Sequence, residues 1–483
     1  MISDIRHFFT LALIISFCGL YPFQSAQAQS YYGNDDTQTS YSFSSSLYAS
    51  TSSSLPFWFY SNVNGKVDPS GTNWLNEISV NHRLWNSGNW QVNVGGDALF
   101  RVSENSQVLI PKAYLQAKAH GLQLDAGRFN QPIGLNNHEL SLGSMMVSNN
   151  AMPLPRISIS TPDFMDVPLM DGYLQYKGMF SHGWLEEDRF VRNAYLHQKY
   201  FYLRVNIGSW SGMGGIVHNV QWGGTHPNLG RLPRSFGDFL RVVTGRAASE
   251  SSNAPGSDLT NVIGNSLAAY EFGLRYERET FTASLTRLFY LEDKVSTRFR
   301  SPWDGVWGVN LEFKDTNRLI KTITYEHVNS KQMDSKSWEL IGAADYYDHS
   351  VYRHGWTYEN DVIGIPLILF ENDDIVNNVL VAHHLGISGQ PTEHLSYKAL
   401  LTYSRNYGIQ DDWVENPGKH IPQNRPDVTP REQFRKDQYS VLLGLDYDIR
   451  NVEGLAVNLK LSSDLGELYE DRFGVMLGLS WGR

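Results

Sequence analysis

Three acids stand in a row at Glu186, Glu187 and Asp188, and Arg189 follows at once. Two carboxyls can cleave a glycosidic bond when they flank a sugar at a set separation. Consecutive residues fix no such separation, so a solvated turn or a charged rim is the plainer reading. His327 and the adjacent His383 and His384 are candidate metal ligands. Neighbours in a strand point to opposite faces, so one site cannot readily use both members of the pair. Glu371, Asp373 and Asp374 could meet a calcium ion, but the stretch lacks the spaced, glycine-containing loop of a strong calcium signal. A polar turn is expected there. The sequence carries no GxSxG, no P-loop and no GxGxxG leading from a strand into a helix. The expectation is no catalytic residue, no metal and no cofactor.

Aromatic rings mixed with polar groups offer a different chemistry. A sugar stacks its C–H faces on rings, while its hydroxyls bond to amides, guanidinium groups and carboxylates. Trp184, Tyr195, Gln221, Trp222, Arg353 and Trp356 are candidates for such contact, with Glu186, Glu187, Asp188 and Arg189 as a charged rim beside them. Each ring has a competing role in packing or at an interface.

The elements that would position these residues are strands. In RFGVMLGLSWGR, Phe473, Val475, Leu477, Leu479 and Trp481 fall on one face, and small or polar residues fall on the other. Val441, Leu443, Leu445 and Tyr447 alternate in the same way, as do Leu455, Val457, Leu459 and Leu461. About 18 such segments of roughly ten residues run along the chain, including 337–347, 351–359 and 472–482. Their polar faces hold Glu271, Arg275, Asp446 and Lys460, which is heavy for the outer side of a sandwich but suits a wet lumen. Tyrosine and tryptophan recur near strand ends, as an interfacial girdle requires. The fold class expected is all-β: a transmembrane antiparallel barrel of about 18 strands, closed so that no edge meets lipid.

Some segments break the pattern. Residues 131–170 hold five prolines and little alternation. Within 225–267, Ser235 can cap a helix with Asp238 three residues on, and Gly245 can end it. Residues 405–437 hold four prolines and many charges, and read as a long exposed loop. The expected organisation is a signal peptide over 1–28 and a single barrel over 29–483, with inserts at 131–170 and 225–267.

The address follows from the first residues. Arg6 precedes an apolar stretch, and Ala26-Gln27-Ala28 is a small-x-small site, so cleavage near Ala28 is expected. The sole cysteine, Cys18, lies within that leader, and Phe17 before it argues against a lipoprotein. Mean hydropathy is −0.35, and no apolar run after the leader is long enough for a membrane helix. The net charge of −10 argues against nucleic acid as a partner.

Several stretches resemble the Wzi family of capsule assembly proteins in its Bacteroidetes-type form. These are LPFWFYSNVNGKV (55–67), GRFNQPIGLNNHELSLGSMMVSNNAMPLPRISISTPDF (127–164), HGWLEEDRFVRNAYLHQKYFYLR (182–204), QWGGTHPNLGRLPRSFGDFLRVVTGR (221–246), DGVWGVNLEF (304–313) and VYRHGWTYENDVIGIPL (351–367). The resemblance implies a Gram-negative outer-membrane barrel with small helical inserts on the periplasmic side or in the lumen. It implies a non-enzymatic, lectin-like role: binding capsular or extracellular polysaccharide after the export machinery, and helping it attach to or organise on the cell surface. Outer-membrane lipid would be the other partner. A sugar-permeable porin and an outer-membrane hydrolase are the competing readings. The inserts favour a plugged barrel over an open pore.

Overall fold

The computed structural model of the protein describes residues 38–249, 253–260, 262–292, 297, 299, 301–315, 318–334, 344–413 and 431–483. The expected signal peptide and the middle of the 405–437 loop lie outside the described residues. Strand β1 (Thr39–Ser54) pairs with β2 (Ser70–Ser87) on one side. On its other side it pairs with the last strand, β18 (Arg472–Gly482), from Ser42 opposite Gly482 to Ser50 opposite Gly474. That seam closes the sheet, so no row of backbone groups is left open to lipid.

Between them run β3 (Trp90–Val102), β4 (Gln107–Ala119), β5 (Leu122–Arg128), β6 (Pro155–Ser160), β7 (Leu174–Trp184), β8 (Tyr195–Ile207), β9 (Trp210–Trp222), β10 (Asn265–Glu277) and β11 (Phe281–Leu291). They are followed by β12 (Gly305–Phe313), β13 (Thr322–Asn329), β14 (Leu380–Thr392), β15 (Leu395–Asn406), β16 (Lys436–Asp448) and β17 (Leu455–Gly466). Strand β6 resumes at Met165–Asp166 after a break, and both parts lie antiparallel on β7. Across the break, Thr161 N donates to the Gly178 carbonyl at 2.9 Å, which keeps the two parts on one line. With β6 taken as one strand, eighteen strands among the described residues form the closed antiparallel barrel.

Alternation decides which side chain meets which solvent. On β16, Tyr439, Val441, Leu443 and Tyr447 point outward and are exposed, while Gln438, Ser440 and Leu442 point inward and are buried. On β18, Phe473, Leu477 and Leu479 face out, and Arg472 and Met476 face in. An apolar outer wall around a partly polar interior is the inverse of a soluble sandwich, and it is what a bilayer requires.

The two ends differ. One has tight connections such as 88–89, 208–209 and 393–394, and both β1 and β18 meet it with their free ends. The other carries the connections 55–69, 129–154, 185–194, 223–264, 292–304, 330–379 and 407–435. Short turns face the periplasm and long loops the exterior in such barrels, so the second end is the extracellular one.

Three of the long connections fold back inside. Helix α1 (Phe57–Tyr60) begins where Phe57 N donates to the inward Asp464 carboxylate of β17 at 2.9 Å. In 129–154, Leu142 N donates to Glu326 of β13 at 2.7 Å, and the Leu140 carbonyl meets His384 Nε2 of β14 at 2.7 Å. Residues 344–379 bring Tyr346, Tyr347, Tyr352, Trp356 and Tyr358, all essentially fully buried. These segments also bond to one another: Ser148 N donates to the Ile363 carbonyl at 2.9 Å, and Tyr347 Oη donates to the Met145 carbonyl at 2.5 Å. Together they plug the lumen.

Three expectations are corrected. Residues 351–359 are plug, not a barrel strand; only Thr357–Tyr358 is extended, paired with Asp361–Val362. Its aromatics are enclosed on every side, so the alternation of type there reports packing and not two solvents. Residues 155–160, expected among the irregular inserts, form β6. Helix α2 (Phe236–Val243) starts at Ser235 with the reciprocal Ser235–Asp238 capping box read from the sequence. It lies neither in the lumen nor at the periplasmic end. The Phe239 ring sits 6.3 Å from Phe180, 5.6 Å from His182 and 5.8 Å from Trp222, all outward positions of β7 and β9. The helix therefore packs on the outer wall at the extracellular end, because that wall ends in apolar Val220 and Trp222, which it covers. A second short helix, α3 (Gly256–Thr260), follows in the same connection.

Candidate functional site

The sequence-chosen residues separate into three groups. The first holds the plug. Arg189, in the connection between β7 and β8, is 5% exposed. Its Nη1 meets Glu186 Oε1 at 2.9 Å and the Thr357 carbonyl at 3.1 Å, and its Nη2 meets the Gly355 carbonyl at 3.4 Å. Gln221, inward on β9, donates from Nε2 to the same Gly355 carbonyl at 2.9 Å and accepts from Asn265 Nδ2 at 3.0 Å. Trp356 donates from Nε1 to the Met146 carbonyl at 2.8 Å, joining two plug segments. Arg128, at the end of β5, reaches Tyr358 Oη at 3.0 Å and Glu359 Oε1 at 3.3 Å. These groups grip a tight hairpin whose turn residues, Glu359 and Asn360, both take positive φ, 50° and 67°. Burial pushes the Glu186 carboxyl above the usual carboxylate range, and Arg189 pulls against that rise.

The second group is on the outside. Trp184 ends β7 facing outward and is 42% exposed. Tyr195 and Trp222 face outward too, with ring centroids 5.2 Å apart. Trp222 is buried because α2 covers it. Their place is at the level where lipid gives way to water, which suits amphipathic rings.

The third group is open at the extracellular end. Glu187 and Asp188 are exposed, as is Arg353. The Arg353 guanidinium lies 4.9 Å from the centre of the Phe190 ring. On the same ring, His226 approaches edge-on at 5.0 Å. His354 Nδ1 accepts from Phe190 N at 3.2 Å, and its Nε2 lies 3.5 Å from Asp373. His226 is held below the usual histidine range by desolvation, with Arg353 adding to the effect. His354 is lowered by burial and by Arg189, against the pull of Asp373. Both imidazoles are buried, and their Nδ1 atoms are already taken: His354 accepts from Phe190 N, and His226 accepts from Asn228 N at 3.1 Å and Leu229 N at 3.0 Å. The Phe190 ring, the Arg353 guanidinium and the exposed Glu187 and Asp188 carboxylates form a shelf whose chemistry suits the apolar faces and hydroxyls of a sugar, with His226 and His354 buried against Phe190 as its support.

Sequence reasoning named Arg353 and Asp188 but not Phe190, His226 or His354. Phe190 and Arg353 are 163 positions apart, and no local pattern announces that they meet. Of the histidines read as candidate ligands, His327 and His383 lie side by side on the outer wall with ring centroids 4.7 Å apart, and alternation turns His384 away from them. His384 faces in, bonded to Thr402 Oγ1 at 2.8 Å, while His383 faces out, bonded to Tyr325 Oη at 2.8 Å. Among the described residues, no group of three or more His, Cys, Asp or Glu is placed to hold a metal.

Residues 24–462 match the family model described as "Capsule assembly protein Wzi". The chain is similar in structure to Wzi of Escherichia coli, an outer-membrane protein involved in group 1 capsule assembly and a carbohydrate-binding β-barrel. The TM-score is 0.56 at 15% identity, over 91% of this chain and 83% of that one. It also aligns with OccK3 (OpdO) of Pseudomonas aeruginosa, with TM-score 0.46 and 11% identity over 93% of this chain and 96% of that one. A further alignment is with OccAB4 of Acinetobacter baumannii, with TM-score 0.43 and 9% identity over 94% and 100% of the two chains. The chain matches no curated protein.

Proposed function

The chain belongs to the Wzi family of capsule assembly proteins, and from that premise we propose that it is a non-enzymatic outer-membrane barrel that binds exported polysaccharide at its extracellular end. It helps attach or organise that polymer on the cell surface. The protein reaches the membrane through a signal peptide cleaved near Ala28 and receives polymer from the export machinery. The observation that carries this reading is the plug. Segments 55–69, 129–154 and 344–379 fill the lumen with buried apolar and aromatic residues, so the barrel offers its outer end as a surface. On that surface, Phe190, Arg353, Glu187 and Asp188 present the ring, cation and carboxylates that a polysaccharide recognises.

The test is a deletion strain in which polysaccharide on the cells and polysaccharide in the medium are measured separately. Unchanged total polymer, moved from cells to medium, is the expected result. An unchanged distribution overturns the surface-assembly reading.

A further inference from the structure

Helix α2 is an amphipathic helix on the outside of a barrel. Phe239 and Val242 face the wall, where Phe239 meets Trp222 and Phe180. Phe236 and Leu240, on the adjoining strip of the same apolar side, are 75% and 49% exposed. A helix on a soluble surface would turn such residues inward. Here the apolar strip continues without a gap into the lipid-facing wall, since Phe236 lies 6.3 Å from Phe239 and Phe239 lies 6.3 Å from Phe180.

Among the described residues, the exposed charges that flank the helix are basic. Arg231 and Arg246 flank the helix and are exposed, and Arg241 stands five positions from Phe236 on the opposite helical face. The one acid of the helix, Asp238, is buried and committed to Ser235 N and Oγ at 2.8 and 2.7 Å. Beneath the helix, the outward Lys199 meets His218 Nδ1 at 2.6 Å, adding positive charge to a wall position where lipid-facing cations are disfavoured. Apolar residues on one side, Arg241 on the other and exposed arginines before and after it describe a helix lying in the plane of a membrane interface.

We propose that α2 is an interfacial strap that seats a phosphate-bearing lipid of the outer leaflet. Phe236 and Leu240 enter the acyl layer, and Arg231, Arg241 and Arg246 meet the phosphates. The strap rests on the barrel spanning a bilayer and not on polysaccharide binding, so the two ideas fail separately.

The test uses the full barrel in bilayers, with Cys18 in the expected leader as the sole native cysteine. A nitroxide on Leu240→Cys should be relaxed more by oxygen than by a water-soluble nickel chelate, and one on Arg246→Cys the reverse. In nanodiscs holding equal amounts of bisphosphorylated and dephosphorylated lipid A, the protein should retain the bisphosphorylated form. The Arg231→Gln, Arg241→Gln, Arg246→Gln variant should lose that preference by about fivefold per arginine. A Leu240 label as open to the nickel chelate as the Arg246 label overturns the proposal. So does a wild-type protein that retains both lipids equally, or a triple variant, shown folded by its heat-modifiable migration, that keeps the preference.

Discussion

Arg189 Nη1 lies 2.9 Å from Glu186 Oε1 and 3.1 Å from the Thr357 carbonyl oxygen, so one guanidinium joins the β7–β8 connection to the plug. Removing it takes the ion-pair partner from the Glu186 carboxylate and the side-chain donor from the Thr357 carbonyl, and leaves Gln221 as the side-chain donor to Gly355. Breaking such a pair from one side costs about 3 kcal/mol. Arg189→Met should therefore speed amide hydrogen exchange across 355–362, where the hairpin is gripped. Arg189→Lys should recover only part, because a point charge cannot replace a planar fork that reaches two carbonyls at once. Unchanged exchange in Arg189→Met would remove this latch from the account of the plug.

Glu187 and Asp188 sit beside that latch but do not take part in it. Both are exposed, so alanine at both positions should change stability by no more than about 0.5 kcal/mol. The Glu187→Ala, Asp188→Ala variant and Arg353→Ala should each keep an intact barrel and hold less polysaccharide on the cell. Cell-attached polymer at the wild-type level in both variants would take the shelf out of polymer binding. A loss of barrel stability would place these residues with Glu186 as braces.

Asp304 gives the plug a pH dependence. Its carboxylate accepts from Gln332 N at 3.0 Å, Met333 N at 2.7 Å and Tyr346 Oη at 2.8 Å, yet burial pushes its pKa up to about 6. A raised folded-state value means that the stabilising contribution is complete below the unfolded value near 3.8 and is lost as pH rises through about 6. The difference amounts to about 3 kcal/mol. Protection of the 332–334 and 344–347 amides, corrected for intrinsic exchange, should be greater at pH 4.5 than at pH 7.5. Asp304→Asn should flatten that difference. Equal protection at both pH values in the wild-type protein would count against it.

The barrel was legible in the sequence because lipid and lumen impose opposite demands on successive residues. β18 falls on the expected 472–482 for that reason. β6 hid because only Ile157 and Ile159 mark its outward face, in six residues between prolines. The plug misled for the opposite cause: around Tyr352, Trp356 and Tyr358 every side is protein, so the alternation of residue type there does not mark a lipid face and a lumen face. Helix α2 was legible as a helix from Ser235 and Asp238, but its seat depends on Trp222, and no local signal says whether a capped helix will pack inside a barrel or outside it. The candidate residues were sorted only by direction of pointing, which placed Gln221 and Trp222, adjacent in sequence, in different surroundings.

Gly355 is the point where those constraints meet. Its φ is +59°, and a Cβ there would stand 2.1 Å from the Tyr347 carbonyl oxygen. Its own carbonyl receives Gln221 and Arg189. Gly355→Ala combines left-handed strain with a steric clash, which together cost about 3 kcal/mol. Exchange across 344–362 should rise while the β16–β18 wall stays protected. Protection unchanged in both regions would show that the backbone there tolerates a side chain.

Trp356 connects plug stability to the choice between a binding surface and a pore. Its indole is fully buried and is tied to the Met146 carbonyl. Trp356→Ala should cost about 4 kcal/mol locally and free residues 344–379 from 129–154. In planar bilayers the wild-type barrel should pass almost no current, because buried apolar and aromatic residues of the plug fill the lumen. The variant should show intermittent openings as the two segments separate. Steady, large currents through the wild-type protein would mean that the plug does not seal, and the porin reading would then displace the binding one. A silent wild type with an opening variant places the barrier in the plug and leaves the extracellular shelf as the part of the molecule that meets polymer.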